Sequence, residues 1–165
     1  MLLQILQGTP IFVWLVLAAL VALGLSQTRP RTIGSRRAAV LPAAFVVLSL
    51  AGVLSAFGAS VAGVFAWACG VALSLGLGPR LLPHIRASWQ AAGDTLHVAG
   101  SWLPLLLILA LFGIKYTAGV SMALHPGLAH EADFVVGCSL AYGVFSGRFA
   151  ARGRQLWQLR AAARG

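Results

Sequence analysis

The chain has 165 residues, of which 59% are hydrophobic and only 9% are charged. An ordinary soluble domain carries roughly 25% charged residues, and one of this size could not bury so much apolar surface in a single core. The composition therefore excludes a soluble globular enzyme and a disordered chain, and it predicts an all-α membrane protein. The formal net charge is +9. Because the arginines flank apolar segments, they indicate membrane topology and not binding to nucleic acid.

Five apolar stretches are long enough to cross a bilayer, which takes about 20 residues each. They predict a bundle of five transmembrane helices in one integral membrane domain that covers residues 1–165. The predicted spans are residues 10–26, 38–57, 59–78, 102–124 and 134–151. No basic segment precedes the first span, so it is expected to be a retained helix and not a signal peptide.

The arginines are distributed asymmetrically between the two sides of these spans. The loops after spans one and three and the segment that ends span five hold all eleven arginines, whereas the loop before span five holds Glu131 and Asp133 and neither arginine nor lysine. The positive-inside rule then predicts the N-terminus outside and the C-terminus in the cytoplasm. Anionic lipid headgroups are the expected partners of the arginines. The basic tail 152–165 either rests on these headgroups with its apolar side or is a frayed stop-transfer segment.

Residues 79–100, between spans three and four, contain two short runs of alternating apolar and polar side chains. The runs HIRASWQ and TLHVAG flank AAGD, in which Gly93 and Asp94 are turn residues. This pattern predicts a small cytoplasmic β-hairpin. An isolated hairpin is only marginally stable in water, so we expect it to lean on the membrane surface or on the bundle.

Small residues recur at four-residue spacing in spans three and five. They are Gly70, Ser74 and Gly78 in span three, and Ser139, Gly143 and Gly147 in span five. Small side chains on one face let helix backbones approach closely in lipid. The spacing therefore predicts helix packing, either within the bundle or between two copies in a homodimer.

Lys115 is the only lysine, and it lies deep in span four, beside Tyr116. It is roughly 14 Å below the outer end of the span at about 1.5 Å per residue, and Tyr142 and Ser49 lie at a similar predicted depth. An ammonium near mid-membrane costs about 2.5–3.5 kcal/mol on insertion scales and is a functional candidate by default. We expect Lys115 to face the bundle interior, with Tyr142 and then Ser49 as its nearest polar partners. It either receives a small anion, a proton or a polar headgroup, or joins helices through hydrogen bonds.

The sequence shows no nucleophile–base pair, paired carboxylate or metal cluster, which predicts no enzymatic activity, no metal and no cofactor. Cys69 and Cys138 lie at different predicted depths, so two free thiols are expected. The pattern favours an accessory or interaction protein of the membrane, whose partners are lipid, a second copy or another membrane protein. The alternative is a small transporter or channel component with a polar site at Lys115.

Several stretches carry a resemblance to a known family. They are Gln27–Arg29, Ser49–Val53, Ser55–Gly58, Gly100–Leu105, Lys115–Tyr116 and Tyr142–Gly147, with Arg152 behind the last. Over nearly the whole chain, they resemble an uncharacterised family of small bacterial inner-membrane proteins, a domain of unknown function. Arg148 departs from the pattern, where an apolar residue is expected. The resemblance implies a multipass architecture and the bacterial inner membrane, and it brings no activity with it.

Overall fold

The computed structural model describes residues 10–81, 87–90 and 95–162, which are predominantly helical. The elements in chain order are α1 (Ile11–Ser26), β1 (Arg31–Gly34), α2 (Ser35–Phe57), α3 (Val61–Leu81), β2 (Ala87–Gln90), β3 (Thr95–Val98), α4 (Leu103–Leu124), a 3-10 helix (Pro126–His130) and α5 (Ala132–Ala162). The predicted turn residues Gly93 and Asp94 and the last three residues of the tail lie outside the described residues.

The helices coincide with the five apolar stretches of the sequence, and their ends differ by a few residues from the predicted spans. The largest difference is in α5, which continues to Ala162 although the predicted span ends at residue 151. Arg148 does not interrupt this helix, and the basic tail is helical as far as residue 162. Alanine, arginine, glutamine and leucine all favour helix, and Leu156 in the tail is only 4% exposed.

Two helical segments, Leu103–Leu124 and Ala132–Gln158, are long and apolar enough to cross a membrane. The remaining apolar helices of the described chain are shorter, namely Ile11–Ser26, Pro42–Phe57 and Val61–Leu77. By length and composition, the described part of the chain therefore has two helices that could span a bilayer and three shorter apolar ones.

The chain divides into two compact units. The first unit consists of Met1–Arg29 with Gly100–Pro126, and the second consists of Pro30–Ala99 with Gly127–Gly165. In the first unit, α1 packs against α4, and the backbone N–H of Ser101 donates to the carbonyl oxygen of Gln27 at 3.0 Å. This bond joins the end of α1 to the residue just before α4, so the two helices run antiparallel.

The second unit is built on three helices, α2, α3 and α5. Gly58 turns the chain between α2 and α3 with a φ of 65°, a conformation that glycine adopts at no steric cost. The rings of Phe45 and Phe149 stack with their centroids 4.4 Å apart, and those of Phe57 and Phe134 meet edge to face at 6.2 Å. The earlier residue of α2 thus pairs with the later residue of α5, which makes these two helices antiparallel.

The predicted β-hairpin is present as β2 and β3, but it belongs to a larger sheet. β1 pairs with the other side of β3, which gives a three-stranded antiparallel sheet in the order β1-β3-β2. The basic segment after span one, expected to be only a loop, thus contributes the third strand. Its four residues are too few to show a clear alternating pattern, and the pairing with β3 is what makes them a strand.

The loop before span five contributes one acidic residue to α5. The helix begins at Ala132, so Asp133 lies within its first turn. A carboxylate in the first turn of a helix still interacts favourably with the unpaired N–H groups there.

Candidate functional site

A chain of hydrogen bonds crosses the centre of the second unit. The indole Nε1–H of Trp67 donates to Ser49 Oγ at 3.2 Å, and Ser49 Oγ donates to the backbone carbonyl oxygen of Tyr142 at 3.3 Å. Ser146 Oγ donates to the same carbonyl oxygen at 2.7 Å. Because these residues belong to α3, α2 and α5, the bonds join all three helices of the unit.

Two members of this polar chain are absent from the sequence-based candidates. Ser146 follows Tyr142 by four residues, and a serine hydroxyl in a helix commonly bonds the carbonyl one turn before it, so spacing could have identified it. Trp67 carries an N–H that requires an acceptor when it is covered, but nothing in the sequence relates it to Ser49. Only the packing of α2 against α3 brings these two side chains together.

The small-residue motifs of α3 and α5 lie against each other. A Cβ built on Gly143 would collide with the backbone carbonyl of Trp67, and a Cβ built on Gly70 would collide with that of Leu140. A Cβ built on Gly147 would lie 2.6 Å from the Cβ of Ser74. Absent side chains thus allow backbone-to-backbone contact, which makes this the most extensive helix pair in the described chain. Gly78 lies near the end of α3, outside the described contacts.

Among the described residues of this interface, two buried hydroxyl groups have no hydrogen-bond partner. Ser139 is 0% exposed, Ser74 is also buried, and the Oγ of each is unbonded. A Cβ built on Gly63 would lie 3.3 Å from Ser139 Oγ, which shows how closely α3 covers that hydroxyl. At both positions, the small volume of serine is used for packing, and its hydroxyl is not used for bonding.

Lys115 lies on the covered face of α4 in the first unit. It is half-buried, and it follows the buried Ile108 by seven residues and precedes the buried Ala118 by three, spacings that place all three on one helix face. Tyr116 stacks on Phe112 with their ring centroids 6.1 Å apart. Ser49 and Tyr142 belong to the second unit, so their proximity to Lys115 stays a prediction.

The remaining reactive side chains are dispersed. Cys69 and Cys138 are free thiols, as expected from their separate positions. Within the described part of the chain, no three His, Cys, Asp or Glu side chains converge as metal ligands would. The described polar groups that come together are hydroxyls, an indole and backbone carbonyls, which join helices through hydrogen bonds.

The family model of DUF6622, a family of unknown function, matches residues 1–164. The resemblance to an uncharacterised family over nearly the whole chain is thereby confirmed. No curated protein and no solved structure matches the chain.

Proposed function

The chain belongs to this family of unknown function, and from that premise we propose that it is a multipass protein of the bacterial inner membrane that acts as an accessory or interaction protein. It has five spans, with its N-terminus outside and its C-terminus in the cytoplasm. Its contacts with partners lie in the bilayer and on the cytoplasmic surface.

The observation that carries the proposal is the exposure of large apolar side chains along successive helices. They are Ile11, Phe12, Trp14, Leu15 and Val16 on α1, Val40, Val47, Leu48 and Leu54 on α2, Val61, Phe65, Leu73 and Leu77 on α3, and Leu106, Leu109 and Leu124 on α4. Soluble proteins rarely leave extended apolar surfaces uncovered. Lipid or another membrane protein would cover such apolar surfaces.

The directions of the helices in the second unit support the proposed topology. A Cβ built on Gly153 would lie 2.9 Å from the ring of Pro42, so the start of α2 meets the late part of α5. The arginines of β1, α2 and α5 therefore gather at one end of the unit. Glu131 and Asp133 lie at the opposite end of α5. This separation of charge is what the positive-inside rule requires.

Reporter fusions at the two ends of the chain test the topology. A periplasm-active reporter should be active at the N-terminus and inactive at the C-terminus, and a cytoplasm-active reporter should give the opposite pattern. Replacing the arginines of the α5 tail by glutamine should weaken this orientation, whereas replacing Glu131 by glutamine should not. A cytoplasmic N-terminus in the unmodified chain would contradict the proposal.

Affinity purification from native membranes tests the accessory role. With the chain expressed at its native level, we expect a membrane protein to copurify with it at a fixed ratio. The same complex should be recovered after cross-linking. An unrelated tagged protein with five spans serves as the control. Elution as the chain alone, in detergents that preserve other membrane complexes, would count against an accessory role.

A transporter or channel component is the second candidate, and the half-buried Lys115 on the covered face of α4 favours it. Water access decides between the two functions. In a chain whose native cysteines are replaced by alanine, Lys115→Cys should resist a small membrane-impermeant thiol reagent if the residue joins helices, and it should be labelled if it lines an aqueous path. Gly127→Cys, at an exposed position of the 3-10 helix, provides the positive control for labelling.

A further inference from the structure

We propose that one exposed stripe near the end of α5 binds anionic lipid headgroups of the inner leaflet. Its described members are Arg154, Trp157, Gln158 and Ala161. The proposal rests on the membrane location and topology proposed above, and it deepens them by assigning the lipid class and the residues that meet it.

The end of α5 continues along the axis of the spanning segment. α5 is one α-helix from Ala132 to Ala162, which is roughly 46 Å long at about 1.5 Å per residue. The hydrocarbon core of a bilayer is only about 30 Å thick, so about ten residues extend beyond it. Gly153 lies against the ring of Pro42 in α2, and β2 also packs against α5. The tail therefore leaves the bilayer upright, held by the second unit, and does not turn to lie flat on the membrane.

Two neighbouring helices place the inner edge of the hydrocarbon core close to Gly153. The apolar part of α2 begins at Pro42, whose ring lies 2.9 Å from a Cβ built on Gly153. The apolar part of α3 ends at Leu77. Ser74 lies against Gly147, and α3 and α5 run in the same direction, so Leu77 lies about three residues beyond Gly147 in level. The stripe therefore begins at the level of the headgroups, directly after this edge.

The stripe faces away from the protein. Its members occupy positions i, i+3, i+4 and i+7, which lie on one face of a helix. All four are exposed, and Trp157 is 57% exposed. Leu156, in contrast, is only 4% exposed, and Arg152 is half-buried. The protein thus covers the side of the tail that carries Leu156, and the side that carries Arg154 and Trp157 meets the surroundings.

The side chains of the stripe suit a layer of anionic headgroups. The guanidinium group of Arg154 presents a planar fork of N–H donors that matches the oxygens of a phosphate. The indole of Trp157 has an apolar body and a polar N–H, a combination that is enriched at membrane interfaces. An anionic leaflet attracts a basic segment about fivefold for each arginine near its surface. Anionic phospholipid is therefore the occupant that fits both the charge and the level of the stripe.

The lipid composition beside the stripe tests the proposal. The full-length chain, with its native cysteines replaced by alanine and Gln158→Cys labelled with a bimane fluorophore, is reconstituted into phosphatidylcholine nanodiscs. Phosphatidylglycerol or phosphatidylcholine with a nitroxide high on its acyl chain serves as the quencher. Phosphatidylglycerol should quench about fivefold more effectively at low salt, and Arg154→Gln should remove most of this preference. Arg152→Gln removes the same charge from a half-buried position, and the preference should stay within about twofold of the parent chain.

A second label position and a conservative variant serve as controls. Beside a label on Leu124→Cys, at the exposed end of α4 that has no arginine near it in sequence, the two lipids should quench equally. Arg154→Lys keeps the charge, so it should keep most of the preference, and it covers the case in which the glutamine variant does not fold.

Equal quenching by the two lipids beside Gln158→Cys would overturn the proposal, as would equal losses in Arg154→Gln and Arg152→Gln. Quenching by neither lipid would mean that protein or water covers the stripe, which also overturns it. A chain that does not enter nanodiscs would contradict the proposed function. A chain that enters them and shows no lipid preference would contradict this inference alone.

Discussion

The two compact units of the chain hold their helices together in different ways. In the second unit, α3 and α5 meet backbone to backbone along small residues, and hydroxyl groups bond across helices. In the first unit, α1 and α4 meet near one end, where Gly24 lies against Leu105, and most of α1 leaves its large apolar side chains exposed. Although α1 is almost wholly apolar, it packs against α4 less extensively than α3 packs against α5. In lipid, apolar surface alone does not draw helices together, and close approach and interhelical hydrogen bonds do.

The largest effect is expected where the backbones touch. In Gly143→Ala the new methyl group would meet the Trp67 carbonyl, so the helices must separate, and the free energy of unfolding should fall by about 3 kcal/mol. Gly137→Ala is the matched control on the same helix, because a Cβ there meets nothing within 4 Å. It should be neutral or stabilise the helix by up to about 1 kcal/mol. Unfolding by titration with a denaturing detergent measures both variants. Equal effects would mean that the backbone contact at Gly143 does not hold the helices of the second unit together.

Lys115 tests whether the first unit depends on a charge as the second depends on small residues. Lys115→Met keeps the length of the side chain and removes the ammonium from a half-buried position. If Lys115 serves only in packing, the free energy of unfolding should rise by roughly 1–3 kcal/mol or stay unchanged. Thr117→Val, at an exposed position on the same helix, is the control and should be neutral. Marked destabilisation by Lys115→Met would show that the ammonium holds the first unit together.

The hydrogen bonds between helices are expected to contribute less than the close contacts. Ser49→Ala removes the acceptor of Trp67 and one donor to the Tyr142 carbonyl, so the free energy of unfolding should fall by about 1 kcal/mol. Ser55→Ala is the control, because that exposed hydroxyl bonds only the Gly52 carbonyl of its own helix. A double-mutant cycle with Trp67→Phe should give a coupling of about 0.6 kcal/mol. A coupling of zero would mean that the polar chain does not join α2 to α3.

The smallest effect should be a stabilisation. Ser139→Ala keeps the Cβ that packs between α3 and α5 and removes a buried hydroxyl without a partner. The free energy of unfolding should therefore rise by about 0.5 kcal/mol, in contrast to the loss expected for Ser49→Ala. The same detergent titration compares the two alanine variants, and destabilisation by Ser139→Ala would reveal a partner for that hydroxyl.

The candidate sites were only partly accessible from the sequence. The spacing of Gly70 and Ser74 in α3, and of Gly143 and Gly147 in α5, indicated helix faces suited to close approach, because small side chains at four-residue intervals lie on one face. Depth along the spans also related Ser49 to Tyr142. Depth is a single coordinate, however, and it could not distinguish a bond between Ser49 and Tyr142 from a shared contact with Lys115.

The sequence by itself determined the positions of the helices and the asymmetry of charge. Both depend on local properties. An apolar run of sufficient length favours helix where backbone groups have no water to bond, and the charge asymmetry follows from the positions of the arginines along the sequence. The tertiary structure decided which helices touch, that β1 completes the sheet and that Arg152 is half-buried. These features join residues that are distant in the sequence, and no local preference records them. The Arg152 side chain could face headgroups, solvent or a neighbour with the same helix propensity, and only the packing of α5 turns it inward while Arg154 stays exposed.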